Sequence, residues 1–277
     1  MDNGKRFGQY NDEPQQHSGG CLHKKPTARE MAIADRCDIR VFETGIQHKP
    51  YGTGEDGQTT LEQTTAERKE TERLIAIAKA NGLFVEPDTI ARFGDKLGTK
   101  TGECDIYFND QENTIYKVKD PFAKWMLKEL HAEDAIYEHI VHNLLFPNTR
   151  YKFIGIAENQ GNLCIVLSQP FISSTNKQPS DEEIVAYLAG LGLEADGRYY
   201  YGNDYVSVTD IGSASDNVLK GDNGELYFID PIIKLKRPAP EVIDFLLSDK
   251  NTPKMPASTP QQPWWKVLWQ RLAHRTH

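Results

Sequence analysis

Apolar and polar positions along this 277-residue chain change period several times, and the changes mark out its elements. CDIYF (104–108) and TIYKV (114–118) are short runs rich in aromatic and β-branched residues, parted by the polar NDQEN. That pattern predicts a β-hairpin. Over residues 121–146 the period lengthens: Met126, Leu130, Tyr137, Val141 and Leu144 recur three or four positions apart, Pro121 suits a first helical turn, and Pro147 ends the pattern. YKFIGIAE (151–158) and LCIVLSQPFI (163–172), split by a polar turn, predict a second hairpin, and the unbroken run CIVL predicts a buried strand. Ser180 and Glu183 form a capping box that opens a helix reaching about Leu191. Strands follow around 204–209 and 225–229, with a Gly221–Gly224 turn between them, and then a short helix, EVIDFLL. Antiparallel hairpins interleaved with helices predict an α+β fold.

The flanks read differently. Residues 1–63 carry few large apolar side chains and predict a mostly flexible tail; 64–87 predict a charged helix and a linker. The globular part is expected over 88–245, and 246–277 as a Pro-rich linker before WWKVLWQRLAHR. That last segment puts Trp264, Leu268 and Leu272 on one helical face, with Trp265 and Trp269 beside them. Such a stripe either packs on its own core or docks on a partner or membrane surface.

Composition narrows the field. With 38% hydrophobic and 10% aromatic residues, there is enough apolar material for a packed core. A net charge of −8 argues against broad nucleic-acid binding. No run approaches the roughly 20 apolar residues of a transmembrane segment, and no secretory leader is seen, so the cytoplasm is the expected location. Cys21, Cys37, Cys104 and Cys164 lack a CxxC pair, and they read as reduced thiols rather than zinc ligands.

Candidate chemistry lies in three places. Gly98 and Gly102 flank a polar loop entering the first strand, where glycines let backbone N–H groups approach a phosphate. The next strand carries Lys117 and Lys119 on one face. A lysine that meets phosphates needs a carboxylate to hold it, and Glu129, Glu133 and Glu138 follow on the helix, Glu138 among apolar neighbours. Finally, TDIGSASDNVLKGDNGELYFIDPII (209–233) ends two β-like runs with Asp210 and Asp230 and puts Asn217 between them. Each alone reads as a turn residue. Together, an Asn amide oxygen and an Asp carboxylate form the oxygen pair that holds magnesium against a triphosphate, and Asp210 is left to take a proton from an attacking hydroxyl.

Over about residues 88–236 the chain resembles the kinase-like domain of polyvalent proteins from phages and conjugative elements, a divergent branch of the protein-kinase-like superfamily. The resemblance is carried by TGECDIYF, TIYKV, YEHIVHNLLFPNTRY, IVLSQPFI and, most specifically, DNVLKGDNGELYFIDPI, with IDP where protein kinases have DFG. It implies a minimal protein-kinase-like fold: an antiparallel N-lobe sheet, one long helix and a reduced C-lobe. It implies ATP and Mg²⁺ as cofactors. It matches Lys117 to the phosphate-contacting lysine, Glu138 to its helix partner, and Gln169 to Phe171 to the base-contacting hinge. Gly98, Gly102 and Ile106 match the nucleotide-covering loop and strand, Asn217 and Asp230 the metal ligands, and Asp210 the catalytic aspartate.

The chain also departs from the kinase pattern. Asp210 precedes Asn217 by seven positions, where kinases have five, and Gly212 stands at the five-residue position. No His-Arg precedes Asp210, the loop has two glycines rather than three, and no Ala-Pro-Glu follows Asp230. Residues 231–277 are expected to be too few for a full protein-substrate lobe. The expected function is phosphotransfer from ATP to a protein hydroxyl or a small molecule. The alternative is a pseudokinase serving as an interaction module.

Overall fold

A computed structural model describes residues 27–42, 60–97, 104–121, 132–159, 161–173, 178–196, 200–212 and 215–248. The described elements are, in chain order, α1 (Ala28–Ile39), α2 (Thr60–Ala80), α3 (Pro87–Ile90), β1 (Asp95–Leu97), β2 (Cys104–Asn109), β3 (Thr114–Lys119), α4 (Ala132–Leu145), β4 (Lys152–Asn159) and β5 (Asn162–Pro170). Then come α5 (Asp181–Gly190), β6 (Glu194–Ala195), β7 (Tyr201–Gly202), β8 (Val206–Thr209), β9 (Val218–Lys220), β10 (Leu226–Phe228), β11 (Ile232–Leu235) and α6 (Ala239–Leu247). This is an α+β architecture in which the strands named here pair antiparallel, with one isolated parallel bridge between Phe84 and Ile156. The Trp-rich segment, together with Gly98 and Gly102, lies outside the described residues.

Five strands form the main sheet in the order β1-β2-β3-β5-β4. β5 shows why the run CIVL is unbroken. Leu163, Ile165 and Leu167 enter the large core, while Cys164 and Val166 enter a smaller one on the opposite face with Val85, Phe93 and Val118. A strand covered on both faces has no reason to alternate. Phe93 stacks on Tyr116 there, ring centroids 4.3 Å apart, and closes the outer face.

Helix α4 crosses the inner face. From Ala135 to Leu145 every residue is buried, because α1 and α6 also pack on it. On a helix enclosed on all sides polar atoms need partners: His139 Nδ1, His142 Nε2 and Asn143 have them, while His139 Nε2 and His142 Nδ1 have none among the described residues. Asn143 bonds Tyr151 twice, donating to its carbonyl at 2.8 Å and accepting from its N–H at 2.7 Å.

Residues 1–63, expected to be mostly flexible, contain the ordered helix α1. A full capping box between Thr27 and Glu30 starts it. Ala32, Ile39 and Phe42 bury themselves in the large core. Few apolar residues suffice because they sit on the one face that meets α4, and Asp35 adds polar links to Arg150 and Asn143. The α2 helix packs on β4, and residues 83–85 bond to Ile156 along that strand's edge. The N-terminal part of the predicted 121–146 helix lies outside the described residues.

Two small sheets follow. In one, β11 pairs β8 with Thr209 opposite Ile232; in the other, β9 pairs β10 with Val218 opposite Phe228. These two registers decide where the acidic residues go. Asp210 leaves β8 at the end where Asp230 and Pro231 enter β11, and Asn217 precedes β9 beside Ile229, whose N–H it accepts at 2.8 Å.

Candidate active site

A cavity of about 360 Å³ lies between the main sheet, α4 and this corner. The sheet contributes Cys104, Lys117, Lys119, Ile165 and Leu167, which share one face because paired residues on neighbouring strands point the same way. From α4 come Ala135, Glu138, His139 and His142. Tyr151 lies at the back, and Asp210, Asn217, Asp230, Pro231 and Ile232 close the far wall. Six residues singled out from the sequence or the resemblance thus meet in one space: Lys117, Lys119, Glu138, Asp210, Asn217 and Asp230.

The pairing of charges differs from the expected one. Glu138 holds Lys119, with Nζ 3.3 and 3.4 Å from its two oxygens, rather than Lys117. Burial opposes the Lys119 charge, but Glu138 and Asp230 outweigh it and raise its pKa above the ordinary value. Lys117 points instead toward the corner. It donates to the Tyr151 hydroxyl at 2.8 Å, the Ile229 carbonyl at 2.9 Å and Asp230 Oδ1 at 3.0 Å. Both lysines lie on the same face of β3, so strand alternation alone cannot separate them; the positions of α4 and the β10–β11 link do.

Asp230 keeps 54% of its side chain exposed to the cavity mouth. Desolvation pushes its carboxyl up, yet Lys117 and Lys119 prevail and hold its pKa below the ordinary carboxylate value. The two carbonyls before it are captured from behind. His142 Nε2–H at 3.2 Å and the Thr149 hydroxyl at 2.7 Å donate to the Phe228 oxygen, and the Tyr151 hydroxyl donates to the Ile229 oxygen at 2.7 Å. Burial first, then Asp230, keeps the Tyr151 phenol well above its ordinary pKa, so it remains a donor. Burial likewise lowers His142 to about 3 and His139 to about 4, leaving both neutral, and it lifts the Cys104 thiol to about 12.

Asp210 has φ +59°, a left-handed conformation that Asp tolerates better than most residues. Its carbonyl accepts from Ser215 Oγ at 3.0 Å, and Ser215 N–H bonds Gly212 at 2.8 Å. Ser215 thus ties the residues before Asn217 back to Asp210 and Gly212. Asn217 Nδ2 donates to Asp210 Oδ2 at 2.7 Å and to its carbonyl at 3.1 Å, which turns Asn217 Oδ1 the other way.

The remaining expected positions lie outside this cluster. Ile106 stands opposite Lys117 on β2 but does not line the cavity. Gln169 is buried near the end of β5, its Nε2 without a hydrogen-bond partner among the described residues. Phe171 packs on Phe108 with centroids 4.9 Å apart. Glu129 and the Glu133 side chain are outside the described residues. Among the described residues no group of three His, Cys, Asp or Glu side chains is placed to hold a metal, and no helix is long and apolar enough to cross a membrane. His142, Thr149 and Tyr151 lie within the segment YEHIVHNLLFPNTRY that carries the resemblance, but their residue types did not single them out for the site.

An antiparallel α+β domain with lysines, a helix glutamate and an Asp–Asn–Asp corner around one cavity is compatible with a small kinase-like domain. Over residues 67–237, more than half its length, the chain matches the family model described as a serine/threonine/tyrosine kinase found in polyvalent proteins, and it belongs to that family. No curated protein and no solved structure gives a significant match.

Proposed function

We propose that this domain transfers the γ-phosphoryl group of ATP, with Mg²⁺, to a hydroxyl of a protein or of a small molecule. The observation that carries the reading is the convergence of Lys117, Lys119, Asp210, Asn217 and Asp230 on one cavity from four separate chain segments. Three carboxylates face that cavity against two ammonium groups, so a further cation would strengthen the hold on a triphosphate entering it. The donor set suits a hard one: Asn217 Oδ1 and Asp230 Oδ2 are oxygen atoms without a protein partner among the described residues. When bound, magnesium supplies charge neutralisation at the phosphates.

The chain's own groups would do the rest. A strand lysine neutralises and orients the phosphates, and Asp210 accepts the proton of the acceptor hydroxyl as the oxygen of that hydroxyl bonds to the γ-phosphorus and the bond to ADP breaks. Gln169 Nε2, near the end of β5 and without a partner among the described residues, supports a base-contacting role. The test is incubation of the full chain with γ-labelled ATP and magnesium beside Asp230→Ala. Label on the chain or on an added acceptor that disappears in the variant is the expected result. Label that is absent from both, or unchanged by the substitution, removes the reading.

One observation favours a second reading, a nucleotide-binding interaction module without transfer. Asp210 Oδ2 is already engaged by Asn217, on a loop two residues longer than the kinase spacing. Thermal stabilisation by Mg-ATP with no transferred label is the outcome that selects it.

A further inference from the structure

Resting on the phosphotransfer reading above, we propose that Lys117 and Tyr151 form a buried clamp that positions Asp230, and that Lys119 is the lysine whose ammonium meets the phosphates. An ammonium has three N–H donors. Those of Lys117 are all spent: on the Tyr151 hydroxyl, the Ile229 carbonyl and Asp230 Oδ1. Its side chain is only 8% exposed. To reach a phosphate it must abandon the Tyr151 hydroxyl or the Ile229 carbonyl, two acceptors that sit behind it in the protein, away from the cavity mouth.

The clamp is closed on itself. Tyr151 accepts from Lys117 and passes its own proton to the same Ile229 oxygen, so three polar atoms satisfy one another in a triangle immediately before Asp230. Tyr151 is held in turn at its main chain by Asn143, which bonds both its N–H and its carbonyl. Nothing in this arrangement has to move when a nucleotide arrives. The arrangement fixes where the Asp230 carboxylate points, with Oδ1 tied to Lys117 and Oδ2 left for a metal.

Lys119 is in the opposite condition. Its only hydrogen-bonded partner among the described residues is Glu138, through long contacts of 3.3 and 3.4 Å, and 24% of its side chain is exposed. It stays charged and keeps donors to spare on the cavity side. Two residues along the same strand face, one lysine serves the protein and the other serves the ligand.

The test separates nucleotide affinity from metal dependence in the full chain. ATP binding is titrated with all divalent metal chelated, with adenosine as the control, and then again against rising magnesium. Lys119→Gln is expected to weaken metal-free ATP binding roughly ten- to hundredfold, the range for losing a charge-assisted contact, without changing adenosine binding, and Lys119→Arg to restore most of it. Tyr151→Phe is expected to keep metal-free ATP binding within about twofold of native while shifting the magnesium requirement several-fold upward. Lys117→Met should behave like Tyr151→Phe, and the milder phenylalanine variant keeps the test open if the methionine variant does not fold. Reversal of the two lysines, with Lys117→Met losing metal-free ATP and Lys119→Gln binding as native does, overturns the assignment alone. An unchanged magnesium requirement in Tyr151→Phe overturns the clamp. A native chain that binds neither ATP nor adenosine removes the phosphotransfer reading, and the assignment with it.

Discussion

The Asn217 side chain donates both amide hydrogens to Asp210, one to the carboxylate at 2.7 Å and one to the main-chain oxygen at 3.1 Å. Two residues seven positions apart are thereby locked to each other, and Ser215 bonds back to the Gly212 and Asp210 carbonyls. The contact orients both groups: it turns the amide oxygen away from Asp210, and Asp210 Oδ1 has no hydrogen-bond partner among the described residues.

Asp210→Asn tests the proton-accepting role most cleanly. Asn is tolerated at positive φ, and its amide oxygen still accepts from Asn217, so the fold should be kept. Transfer is expected to fall by about 10²–10⁴, the usual contribution of a general base, while nucleotide affinity changes little. Steady-state kinetics beside a nucleotide titration check this, and transfer at the native rate would exclude Asp210 as the base.

Glu138→Ala leaves Lys119 in a largely enclosed site with no partner. Breaking a fully buried pair costs about 3–5 kcal/mol; Lys119 retains some solvent, so a loss of about 2 kcal/mol is expected. Urea denaturation measures it. ATP affinity should fall as well, since the ammonium loses the group that aims it.

Acid should destabilise the domain well before its carboxylates protonate. In the folded state His139 and His142 take up a proton only at about 4 and about 3, whereas in the unfolded chain they do so near 6.5. Below 6.5 the unfolded state therefore binds more protons. The stability these residues confer is complete above that pH and is lost as pH falls, by about 1.4 kcal/mol per unit for each histidine until its folded pKa is reached. Asp230, lowered from 3.8, adds the same sign of dependence at more acid pH. Melting temperatures between pH 7.5 and 4 check the slope. His142→Gln, which keeps a donor for the Phe228 carbonyl, should flatten it.

Gly155→Ala should destabilise the domain without touching the cavity. A Cβ there would overlap the Leu83 carbonyl oxygen and lie 2.8 Å from Val85 Cγ2, where residues 83–85 bond to Ile156 along β4. A loss of about 1–3 kcal/mol, the range for overpacking, is expected in denaturant melts, with ATP binding at low temperature unchanged.

Much of the plan was legible in the sequence where the determinants are local. The β2–β3 and β4–β5 hairpins follow from short β-rich runs and the polar residues between them. The start of α5 follows from Ser180 and Glu183, whose two capping bonds are both present. The corner of Asp210, Asn217 and Asp230 was legible as a set of residue types, because a tight turn at Gly221–Gly224 brings Asn217 back toward Ile229. What was not legible depends on distant packing. Lys117 and Lys119 are equivalent by strand alternation, and only the tertiary placement of Glu138 and Tyr151 distinguishes them. Helix α1 was obscured because its buried apolar side chains among those described are Ala32 and Ile39, joined by Phe42 just after it, in a polar stretch. Tyr151 stands just before β4 like many aromatic residues at strand ends, and its residue type alone does not announce that its hydroxyl reaches Ile229.

Asp35 joins α1 both to Asn143 on α4 and to Arg150 just beyond it. The same α4 carries Glu138 into the cavity. Asp35, far from the cavity in sequence, thus braces from outside the helix on which the carboxylate partner of Lys119 stands.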